Sequence, residues 1–460
     1  MEKRESDFRI AAERVAFDAK HRKVILHNIG RYDSAVRRGK GYFRSVENAR
    51  IQAGKIKNHV VNNLEGLLLG FEEQATKQGW EIYWASYADD VLKVIGRAIE
   101  VEVIKSAVKM KSMVSEEIHL NDFLSEKEVE AHETDLGEFI VQTAGERPYH
   151  ILTPAMHKSK EDVAELFNQK FDLHPESTPV EITAFVRDFL REKFTTADLG
   201  VTGANFLLAD TGSVALTENE GNGMQTFAWP RVLITIAGIE KILPEWSDLD
   251  LFWPILAVHG TGQHMTAYNS ILTGPRKSGE TDGPERAILI LFDGGRTELL
   301  QQPGIRDALQ CIRCGACLNA CPVYQAIGGF TYETVYTGPI GSVISGYLEG
   351  SRDAGFLNFA SSLCGKCTEV CPVGIPLHDL LLQNRKKLVD ASKKMGYEKF
   401  FFGNYKKMML KRKKLERVGA SWKNRAMKTV GARVWGPRRA PLIFAKESFS
   451  SSWKRKKPMK

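Results

Sequence analysis

An α/β protein with much parallel strand pairing is the fold class that the sequence predicts, and three observations predict it. Strand and helix signals alternate from about residue 76 to 297, as in a sheet whose strands are joined by helical crossovers. The first 75 residues read as helical, and all seven cysteines fall between residues 311 and 371. Four regions follow from this: an N-terminal helical region over 1–75, an α/β domain over 76–297, a cysteine-bearing segment over 303–384 and a basic C-terminal region over 385–460. A chain of 460 residues exceeds what one core ordinarily organises, which agrees with a division into several units.

In the N-terminal region Ile56, Val60, Val61, Leu64, Leu67 and Leu68 recur at helical spacing, so a helix is expected over 54–71. Trp80 to Ala85 is a short β-prone run, followed by a helix over 89–100 and an expected strand from Val101 to Ile104. Ile151-Leu152 precedes a helix over 158–171. There Ser159 is the expected N-cap and Asp162, three residues on, completes a short-armed capping box. Further strands are expected at Ala204 to Leu208, Ser213 to Leu216, Arg231 to Ala237 and Ala287 to Phe292.

The longest apolar runs, Leu67 to Phe71 and Leu251 to Val258, fall far short of the ~20 residues of a membrane span and read as buried segments. A composition of 43% hydrophobic and 26% charged residues is that of a globular chain rather than a disordered one. The start, Met1-Glu2-Lys3-Arg4-Glu5-Ser6-Asp7, has no apolar signal-peptide core, which argues for a cytoplasmic, reducing setting. Clustered cysteines in such a setting are metal ligands more often than disulfides. From residue 385 onward, 25 Lys and Arg stand against four acids, while the preceding residues carry 39 basic and 52 acidic side chains. A mildly acidic body therefore bears a strongly basic tail.

The cysteines carry the chemistry. The first block reads Cys311-x2-Cys314-x2-Cys317-x3-Cys321-Pro322. Three thiolates on one tight turn can cap three irons of a cubane, while the fourth points toward a second cluster. Gly315 and Ala316 let the backbone close around the inorganic core, and the proline after Cys321 fixes the direction of the chain. A zinc site is the alternative, although zinc knots usually pair two Cys-x2-Cys units. The second block, Cys364-x2-Cys367-x3-Cys371-Pro372, aligns with Cys314, Cys317 and Cys321, and Ser361 occupies the register of Cys311. Crossed ligation then gives cluster one Cys311, Cys314, Cys317 and Cys371, and cluster two Cys321, Cys364 and Cys367. Cluster two is one cysteine short. It is either a [3Fe-4S] cluster or a [4Fe-4S] cluster whose last iron is held by Ser361, another side chain or an exogenous ligand.

These blocks do not stand alone. The chain also contains Glu133-Thr134-Asp135-Leu136-Gly137-Glu138, Ala197-Asp198-Leu199-Gly200-Val201-Thr202-Gly203-Ala204-Asn205, Thr217-Glu218-Asn219-Glu220-Gly221-Asn222 and Tyr336-Thr337-Gly338-Pro339-Ile340-Gly341. With Cys311 to Cys317 and Ser361 to Pro372, they make most of the chain resemble the lactate utilisation protein B family, the iron–sulfur subunits of bacterial L-lactate oxidation. The resemblance implies a three-layer α/β domain of the lactate-utilisation type and a ferredoxin-like segment with two [4Fe-4S] clusters. It also implies two further subunits with which the chain oxidises L-lactate to pyruvate. The missing eighth cysteine matches the family pattern.

Other segments are weaker candidates. Gly260-Thr261-Gly262-Gln263-His264-Met265 lacks the third glycine and the later acid of a dinucleotide fingerprint, so a glycine turn before a helix is expected. Asp210-Thr211-Gly212-Ser213 and Asn219 to Asn222 read as hairpin turns whose amides could also hold a carboxylate or phosphate. His132, Glu133, Asp135 and His157 do not match a metal-binding helix and read as caps or a surface cluster. With no flavin or nicotinamide site evident, the chain is expected to pass electrons as part of an oxidoreductase complex rather than to catalyse alone. Two rivals are an α/β domain that oxidises the acid at an open iron of cluster two, and a redox-sensing or binding protein. The basic tail, with Trp422, Trp435 and Trp453, is expected to dock on an acidic partner or touch the inner membrane surface, with no nucleic acid bound.

Overall fold

The computed structural model describes residues 2–348 and 352–391, and of the tail 403, 406, 407, 410, 418–431, 440 and 443–456. Residues 1–388 form one compact unit and 389–460 a second. Four helices open the first unit: α1 (Glu2–Ala16), α2 (Ala19–Lys40), α3 (Val46–Asn62) and α4 (Leu64–Gln78). Asp18 and Ser45 cap α2 and α3 by accepting from the amides of His21 and Asn48. The single helix expected over 54–71 is in fact two. At Asn63 the side chain donates to the His59 carbonyl at 2.9 Å, which ends α3 and lets α4 start afresh.

The α/β core follows in the order β1 (Glu81–Ala85), α5 (Ala88–Glu102), β2 (Ser106–Lys109), α6 (Met113–Glu117), α7 (Leu120–Glu126), β3 (Glu130–Glu133), α8 (Leu136–Ala144), α9 (Lys160–Phe171), α10 (Pro179–Thr196) and β4 (Leu199–Thr202). After it come β5 (Phe206–Leu208), β6 (Ser213–Glu218), α11 (Asn222–Ala228), β7 (Val232–Gly238), β8 (Ile242–Leu243), α12 (Leu249–Gly260), β9 (Tyr268–Leu272) and β10 (Arg286–Phe292). Six strands pair in parallel in the order β1-β10-β7-β4-β2-β3, and a smaller sheet has the order β8-β5-β6-β9.

Alternation along the strands builds three layers. Ile288, Ile290 and Phe292 face one side with Val91, Ile95, Ile118 and Leu124 of the α5–α7 layer. Ala287, Leu289 and Leu291 face the other, toward Leu68, Phe71 and Ala75 of α4. Val108 on that side of β2 meets Phe139, Phe167, Ile182 and Val186 from α8, α9 and α10. The capping box of Ser159 and Asp162 is formed.

The expected strand at Val101 to Ile104 is not one. Val101 and Glu102 finish α5, Val103 closes it in a left-handed conformation, and the strand begins at Ser106. Val101 and Val103 are 63% and 68% exposed, so their alternation never faced a core.

From β2 the chain moves outward to β3, whereas from β4 it proceeds through β7 and β10 in the opposite direction. That reversal opens a crevice beyond the C-terminal ends of β2 and β4, where open α/β sheets characteristically bind ligands. After α13 (Arg296–Leu300), the cysteine segment packs into the same unit through α14 (Ala316–Asn319), α15 (Pro322–Ile327), α16 (Gly338–Ile344), α17 (Lys366–Glu369) and most of α18 (Leu377–Ala391). In the second unit, α19 (Ala420–Ala426) and α20 (Phe449–Lys456) are formed, and Phe449 stacks on Trp453 at 5.8 Å. Trp435 lies outside the described residues. Among the described residues, no helix is long and apolar enough to cross a membrane.

Candidate functional site

The two cysteine blocks repeat one backbone conformation. In block one Arg313 has φ 61°, Gly315 has φ 73°, and α14 then carries Cys317. In block two Leu363 has φ 55°, Gly365 has φ 80°, and α17 carries Cys367. Left-handed non-glycine residues are uncommon, and these two stand in matching places. The amide of Arg313 donates to Cys311 Sγ at 3.4 Å, and the amide of Leu363 donates to Ser361 Oγ at 3.1 Å. Ser361 thus takes the structural place of Cys311.

The thiols fall into two electrostatic neighbourhoods. Burial raises Cys314 and Cys317 well above an ordinary thiol, with Cys311 and Cys371 as further neighbours. Cys371 is pushed up to about 11 by burial and then by Cys311. Burial also raises Cys321, which neighbours Cys364, and pushes Cys367 up to about 11, with Cys321 and Cys364 nearby. Within each neighbourhood, amides are aimed at sulfur: that of Ile340 at Cys317, those of Val323 and Tyr324 at Cys321, and that of Ile375 at Cys371, the last at 3.4 Å.

Buried thiols stay protonated until cationic iron displaces the proton, and the amides then stabilise the anionic sulfur. Among the described residues, no three His, Cys, Asp or Glu side chains converge on one ion. A cubane is held at separate iron corners and calls for wider spacing. The donor set therefore fits iron–sulfur clusters.

Block one is built into the protein interior. Arg313 donates to Glu240 Oε1 at 3.1 Å and stacks over the Tyr336 ring at 4.2 Å. Arg296, fully buried, donates to Glu240 at 2.6 Å and forks onto Glu117 at 2.7 and 3.0 Å. The Tyr336 hydroxyl donates to Glu117, and Lys57 donates to the Glu240 carbonyl at 2.7 Å. Burial opposes the charge of Glu240, but Arg296 and Arg313 outweigh it and hold this carboxyl well below its usual range. Lys57 has no such surplus: burial lowers it to about 7 against the pull of Glu240.

A cavity of about 370 Å³ lies at the crevice beyond β2 and β4. Lys111, Asn205 and Thr217 line it from the α/β domain, and Ile312, Arg313 and Tyr336 from the cysteine segment. A larger cavity of about 640 Å³ lies between α10 and α11 and shares Glu220 and Asn222, but no cysteine-block residue lines it.

The weaker candidates are dispersed. Asp210 to Ser213 forms the β5–β6 hairpin turn, whereas Asn219, Glu220 and Asn222 line the smaller cavity. The turn at Gly260–Met265 follows α12 and leads to β9, so it closes a helix instead of opening one. His132 pairs with Glu130, Glu133 forms a buried pair with Lys109 at 2.7 Å, Asp135 caps α8, and His157 pairs with Glu146. The residues that sequence reasoning missed are Lys57, Lys111, Glu117, Glu240 and Arg296. Their partners are remote in sequence, and no local pattern marks them.

Two family descriptions match: a LUD domain over residues 68–292 and a 4Fe-4S dicluster domain over 307–375. Lactate utilization protein B of Bacillus velezensis is 41% identical over 388 residues, spanning 83% of this chain and 80% of its own. The protein of that name from Bacillus subtilis strain 168 is likewise 41% identical over 388 residues, with the same shares of each chain. That of Anoxybacillus flavithermus is 40% identical over 372 residues, 79% of either chain.

Proposed function

The chain belongs to the lactate utilization protein B family, and from that premise we propose that it is the electron-transfer subunit of a complex oxidising L-lactate to pyruvate. One observation carries the reading: seven thiols in two neighbouring sets, each formed from both blocks, suit two clusters close enough to exchange electrons. Lactate oxidation releases two electrons and two protons, and each bound cluster can relay electrons singly. Cys311, Cys314, Cys317 and Cys371 would hold one cluster, and Cys321, Cys364 and Cys367 the other, with Ser361 the candidate fourth ligand. Exposed Cys364 gives the second cluster a surface where electrons could enter or leave, while the thiols of the first are buried apart from half-buried Cys311.

In this reading two partner subunits act on the substrate or accept the electrons, and the protein works in the cytoplasm. The basic tail is a docking segment for an acidic partner surface. Co-sedimentation with anionic liposomes, lost on removing residues beyond 400, would instead make it a membrane contact.

Anaerobic stopped-flow spectroscopy tests the division of labour. Adding L-lactate should leave the visible cluster absorbance of the purified chain unchanged and bleach it only when partner subunits are present. Bleaching by L-lactate with the chain alone would make this subunit the dehydrogenase itself.

A further inference from the structure

We propose that the solvent-facing side of α2 is the docking surface for an acidic redox protein, one that exchanges electrons with the cluster held by exposed Cys364. The inference rests on the electron-transfer reading and adds to it the place and the charge of the partner. Residues before 385 carry 39 Lys and Arg against 52 acids, yet α2 alone carries seven Lys and Arg against Asp33. Ile25 and Ile29 bury one side of the helix, and Arg22, Lys23, Arg31, Arg37 and Arg38 are exposed on the rest. Among the described residues, Lys20 is the one cation of the seven in an ion pair, with Asp162 at 2.9 Å.

Such a helix is not built for its own stability. Lys20, Arg22 and Lys23 stand near its N-terminal end, where the helix dipole disfavours cations. Lys20 with Lys23, and Arg37 with Lys40, set like charges one turn apart. Gly30 lies mid-helix with open space where a side chain would stand, so no packing within the chain calls for glycine there. A shallow groove runs past it, lined by Leu26, His27, Arg31, Ser34 and Arg38, and Leu26 is 48% exposed. A partner rich in Asp and Glu offsets the repulsion and covers the apolar spot.

The C-terminal end of this ridge meets the second cysteine block. Arg37 and Lys366 are both electrostatic neighbours of Asp33, and Cys364 is a neighbour of Lys366. Lys40 neighbours Lys366 and Arg50, and Arg50 donates to the carbonyls of Cys371 at 2.9 Å and Thr368 at 3.5 Å. Arg50 is paired with Glu47 and Lys366 with Glu369, so the surplus positive charge on this face comes from α2. At 22 residues α2 is about 33 Å long, the width of a small domain. Redox encounters use small interfaces, and complementary charge speeds them. A nucleic acid or an anionic membrane would also meet the charge, but neither has a use for the exposed cluster ligand at the end of the ridge.

Anaerobic stopped-flow spectroscopy on the full, cluster-loaded and pre-reduced chain tests this. Cytochrome b5 serves as an acidic one-electron acceptor and cytochrome c as a basic one. Transfer to cytochrome b5 should slow steeply as salt is added, whereas transfer to cytochrome c should not slow. R37E combined with R38E should lower the low-salt rate to cytochrome b5 at least about tenfold at unchanged iron content, and R37Q with R38Q by a smaller factor. R187E with R191E changes net charge equally but lies on α10, and should cost less than about twofold. Equal losses in the α2 and α10 variants would overturn the proposal, as would a cytochrome b5 rate indifferent to salt. So would an α2 variant that loses retention on anionic vesicles or duplex DNA while its cytochrome b5 rate stays unchanged. Each of these leaves the electron-transfer reading standing, whereas clusters that reduce neither cytochrome would sink that reading itself.

Discussion

The two cysteine blocks share a backbone and differ in nearly everything around it. Gly315 sits where an added Cβ would come within 3.2 Å of His150 Cε1, and Arg313 beside it is locked onto Glu240 and Tyr336. Gly365, at the matching position, has nothing within 4 Å, and Cys364 is exposed. Block one is therefore a wall between the α/β domain and its cluster, and block two is a window. The lesson is that one backbone turn, used twice, can be set in an enclosed and an exposed environment by the packing around it. Enclosure, hydrogen bonds and solvent access are the levers that separate the potentials of such sites.

The comparison breaks most readily at the crossed ligand. C371A lies in block two, yet it should abolish or convert the EPR signal of the inner cluster while the outer signal persists. Loss of the outer signal alone would mean that each block binds its own cluster. Next in size is the charge network behind block one. E240A leaves Arg296 and Arg313 without their shared carboxylate and should cost about 3–5 kcal/mol in denaturant unfolding, since removing one partner strands buried charge. A cost near that of K366A, which removes an exposed pair with Glu369 on block two, would show the network to be dispensable.

The two glycines sharpen the contrast further. G365A and G315A each place a side chain at positive φ, a strain of about 1–2 kcal/mol. G315A should lose more than G365A in thermal unfolding, because it must also displace His150. Equal losses would remove the packing difference. The smallest effect is expected from S361C, which supplies the eighth thiol. It should raise the iron retained after aerobic purification by less than about one atom per chain and alter only the outer cluster's EPR. A change in the inner signal would contradict the assignment of Ser361.

How much could be read from the sequence follows from how local each feature is. The spacing Cys311-x2-Cys314-x2-Cys317 lies on one turn, and the pairing of Ser361 with Cys311 followed from simple register. Strands such as Ala287 to Phe292 were legible because they are buried on both faces. The strands Ser106–Lys109 and Glu130–Glu133 were not, since they are four residues long and carry the Lys109–Glu133 pair inside the fold. The ion network was hidden for a different reason: Arg296 meets Glu240 across 56 positions and Glu117 across 179. The cavity shares that reason, because Lys111 and Arg313 line it from different regions of the chain.

Central to all of this is the claim that seven cysteines hold two iron–sulfur clusters, one enclosed and one exposed. Iron and acid-labile sulfide analysis of anaerobically purified protein, joined to low-temperature EPR, tests it most directly. The account predicts about seven to eight irons per chain with matching sulfide, and two spectroscopically distinct clusters after reduction. Zinc without sulfide, or a single cluster of four irons, would contradict it.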